Sequence, residues 1–312
     1  MILVFASSLY SIDKQNEPLY DALKSSGKEF IFLNPLNYKE LQRLQLVSSF
    51  GANKLLFNGR GISPSTIFHS RLLRTDCLID LPESCLYPSF LRQKIGSFLE
   101  EIIFCFRDVN IFPGKYNSIQ LGESKCAVYQ LAYDAGLAVP TNTINAFFAP
   151  TNDINYRKAL GFPFSISLNT EMGKEVAVTL LNERNAKKST LIGFPWQWQT
   201  AIKLQKHVRC IIVGDRIWTY SLSESQLNGR SLREAHEDDS ELLWQEDELP
   251  LGVQNGLIRL LSMIGLGYSA PEFLVDTSGN YVFIDLNPCG DWFGFSNEKD
   301  GTEIAHEIIA KL

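Results

Sequence analysis

The sequence predicts an α/β protein, and three observations carry that prediction. Short apolar runs alternate with helical patterns through the first hundred or so residues, while apolar, β-branched and aromatic runs dominate from Thr143 onward. The composition, 45% apolar with 12% aromatic and 21% charged, lies far from the polar, highly charged range in which chains stay disordered. At roughly 150 residues per domain, 312 residues suggest two or three domains.

The elements follow in order. Ile2 to Ala6 is an apolar run that Ser7, Ser8 and Asp13 cut short, which predicts a buried strand. A helix near Glu17 to Ser26 and a strand from Phe30 to Leu33, closed by Asn34-Pro35, complete a βαβ unit. Arg43 to Ser49 and Lys54 to Asn58, separated by Phe50-Gly51-Ala52-Asn53, predict a hairpin, and Ile67 to Leu72 a further strand. Tyr87-Pro88 opens a long helix, Ser89 to Phe106, whose Phe90, Ile95, Leu99, Ile102, Ile103 and Phe106 form an apolar stripe. Phe112 to Ser118 is rich in turn residues and suits a boundary. Ser124 to Ala135 is helical and stops at Gly136. Strands are then expected at Thr143 to Phe147, Phe164 to Leu168, Glu175 to Leu181, Trp196 to Ile202, Val208 to Val213 and Ile217 to Leu222. Polar Asn228 to Glu248 predicts an exposed loop. A helix, Leu251 to Ile264, a last hairpin and a closing helix, Thr302 to Leu312, end the chain.

The charge excludes some partners. With 29 Lys and Arg against 35 Asp and Glu, the net charge is −6, the opposite of a phosphate-backbone footprint, so nucleic acid is not expected. The six cysteines never form a Cys-x-x-Cys pair and only four histidines accompany them, so no structural zinc site or disulfide framework is predicted; reduced thiols in the cytoplasm are the expectation. The apolar N-terminus lacks a basic n-region and no run reaches about 18 residues, so neither a signal nor a membrane span is expected.

The last hairpin holds the most informative residues. Glu272 to Asp276 and Tyr281 to Asp285 flank Thr277-Ser278-Gly279-Asn280, and a loop centred between Ser278 and Gly279 places Glu272 opposite Asp285. Alternation along the strand puts Asn287 on the same face as Asp285. Like charges directly opposite each other are destabilising unless a cation lies between them or one is protonated. Two carboxylates and an amide oxygen are hard ligands that suit Mg²⁺, which is usually shared with substrate phosphates. A pair of acids facing solvent at a hairpin end remains open, and a three-residue loop would shift the register by one and separate the acids onto opposite faces.

Asp285-Leu286-Asn287-Pro288, between a strand and a Gly-rich turn, is similar to the acidic-x-Asn-Pro motif of ATP-grasp ligases, whose acid and Asn bind the magnesium of Mg-ATP. Other segments resemble that family in the same order: Ser124-Lys125 through Gly136 to Pro140-Thr141 resembles the entry into the ATP-grasp module. Trp198 to Ile202 resembles the adenine hinge, and His207-Val208-Arg209 before Val213-Gly214-Asp215-Arg216 the Arg-bearing strand and hairpin. The tail, Asn287 to Phe295 with Gly301 to Ala305, resembles the branch of microviridin-type (graspetide) peptide maturases and ribosomal-protein glutamate ligases. The resemblance covers roughly residues 110 to 312. It implies a pre-ATP-grasp α/β domain over residues 1–110, an ATP-grasp central subdomain over 111–204 and a C-terminal subdomain with the metal site over 205–312, the last two clasping the nucleotide.

What the resemblance implies residue by residue is an ATP- and Mg²⁺-dependent ligase that activates a carboxylate as an acyl phosphate for attack by an amine or hydroxyl. Glu272, Asp285 and Asn287 would hold the metal; Arg209 would stabilise the phosphoryl or acyl-phosphate oxygens; Lys125 would reach the phosphates; Gln199, Thr200, Ala201 and Ile202 would form the hinge around the adenine. Two positions depart from the family pattern. Ser167 stands where an ATP-binding Lys is usual, with Lys174 in the following loop as its replacement, and Thr200 stands where the hinge normally has an acid. A degenerate protein that binds nucleotide or a partner without ligase activity is therefore the alternative. The expected substrate is a peptide or amino-acid carboxylate, with Arg209, Arg230 and Arg233 as sources of local positive charge and Trp292 and Phe293 either shaping an acceptor pocket or packing. A homodimer stays open beside a monomer.

Overall fold

A computed structural model of the chain describes all residues except 7–11, 36, 50, 70–80, 82–84, 146–153, 160–164, 167–175, 178–180, 183–195, 201, 229–241 and 293–297. The chain begins with β1 (Ile2–Phe5), α1 (Ile12–Ser25), β2 (Phe30–Leu33), α2 (Tyr38–Leu41), β3 (Leu44–Ser49), β4 (Ala52–Phe57), β5 (Arg60–Ile62), β6 (Thr66–His69), α3 (Pro88–Cys105) and β7 (Asn110–Phe112). β1, β2, β6 and β7 form a parallel sheet in the order β2-β1-β6-β7. The βαβ expectation holds, and β1 is buried along its whole length because helices cover both faces. Its Ile2 and Val4 face α1 through Leu19, Ala22 and Leu23, whereas Leu3 and Phe5 face Leu99, Ile102 and Ile103 of α3.

The β3–β4 hairpin is present but tighter than expected: Ser49 pairs Ala52 and Ser48 pairs Asn53, so that Ala52 and Asn53 are strand residues instead of looping. β5 was not expected. Its signal is Asn58-Gly59, both with positive φ, the dipeptide that a two-residue type I′ hairpin favours. Likewise, the stretch read as a turn-rich boundary, Phe112 to Ser118, overlaps the end of β7 and the start of α4 (Tyr116–Glu123), which runs directly into α5 (Lys125–Asp134). α5 ends as expected, with Gly136 at φ 88°.

β8 (Asn142–Asn145), β9 (Ile154–Ala159), β10 (Ser165–Ile166), β11 (Val176–Ala177), β12 (Leu181–Asn182) and β13 (Trp196–Thr200) follow. They form a four-stranded sheet, β12-β9-β13-β8, and a separate β10–β11 pair. The last part comprises β14 (Leu204–Val213), β15 (Arg216–Ser223), α6 (Glu224–Leu227), β16 (Gln245–Glu246), α7 (Leu251–Ile264), β17 (Tyr268–Ser269), β18 (Glu272–Asp276), β19 (Tyr281–Asp285) and α8 (Glu298–Lys311). α8 starts one turn earlier than the expected Thr302, and most of the polar stretch Asn228 to Glu248 lies outside the described residues.

β14 is the central strand of an antiparallel sheet ordered β16-β15-β14-β18-β19, with β17 on its far end. Its apolar run is buried on both faces. Val208, Cys210 and Ile212 enter a core with Val128 and Tyr129 of α5 and Leu257, Leu260 and Leu261 of α7. On the other face, Ile211 and Val213 join Ile304, Ala305, Ile308 and Ile309 of α8, and this same cluster contains Ile2, Val4 and α1. α8 therefore ties the two parallel and antiparallel sheets together. His207 and Arg209 lie on the α8 face of β14, beyond the end of this apolar patch.

Candidate functional site

Arg209, Glu272 and Asp285 form one row across three neighbouring strands: Arg209 on β14 is the register partner of Glu272 on β18, and Glu272 is the partner of Asp285 on β19. The facing acids expected from the sequence are present, but the loop that produces them is different. Val275 pairs Tyr281, Leu274 pairs Val282 and Phe273 pairs Phe283, so the turn is the three-residue Thr277-Ser278-Gly279, with Gly279 at φ 84°. The one-residue slip this causes is cancelled by a bulge at Ile284, after which Glu272 and Asp285 pair.

Both carboxylates are largely buried, at 14% and 16% side-chain exposure, and both have cations against them. His207 Nε2 lies 3.2 Å from Glu272 Oε2 and Arg209 Nη1 lies 3.4 Å from Glu272 Oε1. Asn287 Nδ2 donates to the same Oε1 at 3.3 Å. Burial alone would push the Glu272 carboxyl up, but the hydrogen bond with His207 and the Arg209 charge outweigh it and hold the group well below the usual carboxylate range. Asp285 forms an ion pair with Lys125 at the start of α5 and accepts a hydrogen bond from the Leu286 N–H at 2.9 Å.

Asn287 sits at φ 49° in the left-handed region, which Asn tolerates better than most residues. Its carbonyl holds it there, accepting from the N–H groups of Ala270 at 2.9 Å and Gly290 at 3.1 Å. Gly290 is needed for close approach, since a Cβ at that position would stand 2.5 Å from Ala270 Cβ and 3.0 Å from Asn287 Cβ. Arg209 Nη2 donates to the Asp291 carbonyl at 3.3 Å, so the loop after Asn287 and the β14 arginine are bound to each other.

The segment expected to form the hinge connects to the same place. Gln199, buried on β13, donates through Nε2 to the Tyr129 hydroxyl, which in turn donates to the Ile284 carbonyl at 2.8 Å. The bulge frees that carbonyl from the strand ladder, and Tyr129 satisfies it. Thr200 N–H donates to the Thr141 carbonyl at 3.1 Å, and Ile202 is half-buried nearby in the chain. Ser167, Lys174, Ala201, Arg230, Arg233 and Phe293 lie outside the described residues. Trp292 is buried in the core beside Tyr268, ring centroids 6.1 Å apart, and so packs.

Two participants were given no role in the sequence. His207 was expected on the same strand face as Arg209, since residues two apart on a strand share a face. Tyr129 is four residues after Lys125 on α5 and therefore shares that helical face. Among the described residues no group of three or more His, Cys, Asp or Glu gathers at metal-binding spacing; the candidate set is two carboxylates and an amide. Oxygen donors alternate here with fixed cations, an arrangement suited to a hydrated divalent cation carrying phosphates.

No family model and no curated protein matches the chain. Solved structures do. The macrocyclase MdnC of Microcystis aeruginosa, bound with precursor peptide MdnA, matches with a TM-score of 0.76 at 18% identity over 99% of this chain and 98% of that one. A RiPP-associated ATP-grasp ligase of Chryseobacterium gregarium, in complex with ADP and a leader and core peptide, matches with a TM-score of 0.76 at 20% identity over 98% and 94%. The VanG D-Ala:D-Ser ligase of Enterococcus faecalis matches with 0.59 at 10% identity over 99% and 98%. Nearly the whole chain is thus superposable on such enzymes from end to end, and the fold it adopts is that of the ATP-grasp ligases.

Proposed function

We propose that the protein is an ATP- and Mg²⁺-dependent ligase that activates a carboxylate of a peptide substrate as an acyl phosphate for attack by an amine or hydroxyl. The observation that carries this reading is the row Arg209–Glu272–Asp285 with Asn287 beside it, at one end of the sheet in an ATP-grasp fold. Glu272, Asp285 and Asn287 would hold Mg²⁺, and their hard oxygens fit that ion; when bound it supplies neutralisation of phosphate charge. Residues 111–204 and 205–312 form the two halves around the nucleotide, with residues 1–110 as the domain before them. Two of the similar structures contain a precursor or a leader and core peptide, which supports a peptide as the substrate.

In this reading the substrate carboxylate oxygen attacks the γ-phosphorus, ADP leaves, and the amine or hydroxyl then attacks the acyl carbon, releasing phosphate and a proton. Arg209, held by Glu272 and the Asp291 carbonyl, aims a fixed positive charge at the oxygens on which charge develops. Lys125, paired with Asp285 at the start of α5, would supply positive charge to a nucleotide phosphate beside the metal ligands. Gln199, Thr200, Ala201 and Ile202 read the adenine, Gln199 being oriented by Tyr129. Lys174 takes the place of the phosphate-binding Lys that Ser167 lacks. The described cysteines are free thiols, which suits a cytoplasmic protein.

The departures at Ser167 and Thr200 favour a second reading, a nucleotide-binding scaffold without ligation. Calorimetric titration of ATP with and without Mg²⁺, repeated on Asp285→Ala, separates the outcomes. Micromolar, Mg²⁺-dependent binding lost in the variant supports the metal site; binding that ignores both Mg²⁺ and the substitution refutes it. ADP release on addition of a peptide bearing Asp or Glu beside Thr, Ser or Lys then distinguishes ligase from scaffold.

A further inference from the structure

β2 is the outermost strand of the parallel sheet, and among the described residues no strand pairs with its outer side. The ladder to β1 runs through Glu29 O, which accepts from Ile2 N–H at 2.8 Å, and Leu33 O, which accepts from Ala6 N–H at 3.1 Å. Odd-numbered residues thus turn toward β1, and the N–H and C=O groups of Phe30 and Phe32 point to the outer edge. Such an edge is usually blunted by charge, Pro or a bulge, yet Phe30-Ile31-Phe32-Leu33 has none of these. A cleft of about 700 Å³ runs along it.

The walls of this cleft stand on both faces of the strand. On one face Tyr20 of α1 meets Phe30 and Phe32 edge-on, each at 5.6 Å. On the other, Phe57 lies near Ile31, with the Arg43 guanidinium 4.3 Å over its ring. Phe30, Ile31, Phe32 and Phe57 are all only half-buried. One end is closed by Glu40, which accepts the Asn34 N–H at 2.7 Å, and Glu17 adds a carboxylate to the rim.

From this geometry we infer that the outer edge of β2 is a docking groove for an extended peptide segment, which joins the sheet as a further strand. Main-chain bonds to Phe30 and Phe32 supply affinity, and alternate side chains fall on the Tyr20 wall and the Phe57 wall, giving selection for apolar residues at both. Among the described residues, Glu17 and Glu40 against the one cation Arg43 leave the lining with a net negative charge, which favours a basic residue beside that apolar stretch. A second copy of the chain fits less well: four residues of strand, about 13 Å long, do not bury the roughly 1,000 Å² that a stable interface needs, and two sets of walls would meet first. That the docked segment belongs to the ligase's own substrate rests on the function proposed above; that the edge takes a strand does not.

The test uses the full-length protein without nucleotide and a fluorescein-labelled octapeptide, Gly-Lys-Val-Tyr-Val-Phe-Lys-Gly, followed by anisotropy. Saturable binding is expected, at least tenfold weaker in Phe32→Pro, because that substitution removes an outward N–H while sparing the β1 ladder. Tyr20→Ala weakens it severalfold, and Asp285→Ala leaves it unchanged. The probe also slows amide exchange at Phe30 and Phe32 of the unmodified protein, which decides the matter if Phe32→Pro does not fold. Absence of binding, equal binding by Phe32→Pro, equal binding by a probe N-methylated at alternate residues, or loss in Asp285→Ala would overturn the inference. Concentration-dependent dimerisation blocked by Phe32→Pro would give the edge to a second copy instead. Because nucleotide is left out, failure of the ligase reading leaves this result standing, and the reverse also holds.

Discussion

Replacing Glu272 with Gln keeps the volume of the side chain and removes its charge from between Arg209 and His207. Those three side chains are 14%, 16% and 7% exposed, so the variant strands a cation where water reaches it poorly. Breaking a buried pair from one side costs about 3–5 kcal/mol. Contacts of 3.2 and 3.4 Å are long for charge-assisted bonds, and the pair keeps some solvent, so about 2–4 kcal/mol is the expected loss at pH 7. The pH dependence has a definite sign. A carboxyl held below its unfolded value of 4.5 contributes stability that is complete above that pH and is lost as pH falls through the folded value. Urea unfolding of both proteins should therefore show a difference that narrows as the pH falls below about 4.5. Adding Arg209→Met to the variant should recover part of the loss, since no cation is then stranded. A difference under about 0.5 kcal/mol at pH 7, or one that widens as the pH falls below about 4.5, would refute the reasoning.

Three further substitutions test the surroundings. Tyr129→Phe removes the hydroxyl that joins Gln199 to the Ile284 carbonyl; unfolding should show a loss of about 1–2 kcal/mol, and ATP titration a severalfold weaker affinity. Asn287→Gly keeps the left-handed backbone and should remain as stable as the parent within about 1 kcal/mol while losing the Mg²⁺ dependence of ATP binding, whereas Asn287→Ala adds about 1–2 kcal/mol of strain measurable by urea unfolding. Gly290→Ala drives a methyl into Ala270 and should lower stability by about 1–3 kcal/mol in the same assay.

Much of the fold was legible because burial writes itself into periodicity. Ile2 to Phe5 and Cys210 to Val213 are continuous apolar runs, and both prove to lie in strands covered on two faces. Helix Leu251–Ile264 shows its stripe and ends at Gly265 in the left-handed conformation, as its pattern predicts. β7 and α4 were illegible for the opposite reason. β7 is a three-residue strand buried by parallel pairing with β6, a contact made at long range, and α4 follows a Pro-Gly-Lys turn whose composition masks the helix that comes after it. The site was legible as a set of residue types on strand faces. What pairs with each of them was not: Lys125 meets Asp285 across 160 positions of sequence, a proximity set by packing of α5 on β19.

The hairpin shows why a correct pairing did not imply a correct loop. Asp276 accepts from the N–H groups of Ser278 and Asn280 at 2.8 and 2.9 Å, and this local carboxylate cap favours a three-residue turn that residue counting from Ser278-Gly279 overlooks. On its own that turn would carry Asp285 to the opposite face from Glu272. The bulge at Ile284 restores it, and the Ile284 carbonyl is taken up by Tyr129, whose hydroxyl also holds Gln199 of β13. A side chain from α5 thus caps the carbonyl at the bulge, so the register that faces the two acids is tied to the packing of α5 as well as to the turn. The same seating brings Lys125 onto Asp285. The facing of Glu272 and Asp285, the hydrogen bond between Gln199 and Tyr129 and the ion pair of Lys125 with Asp285 are therefore not three independent features of the sequence. They are three consequences of one helix docking on one irregular strand, and the strand's irregularity is the part that neither propensity nor alternation could reveal.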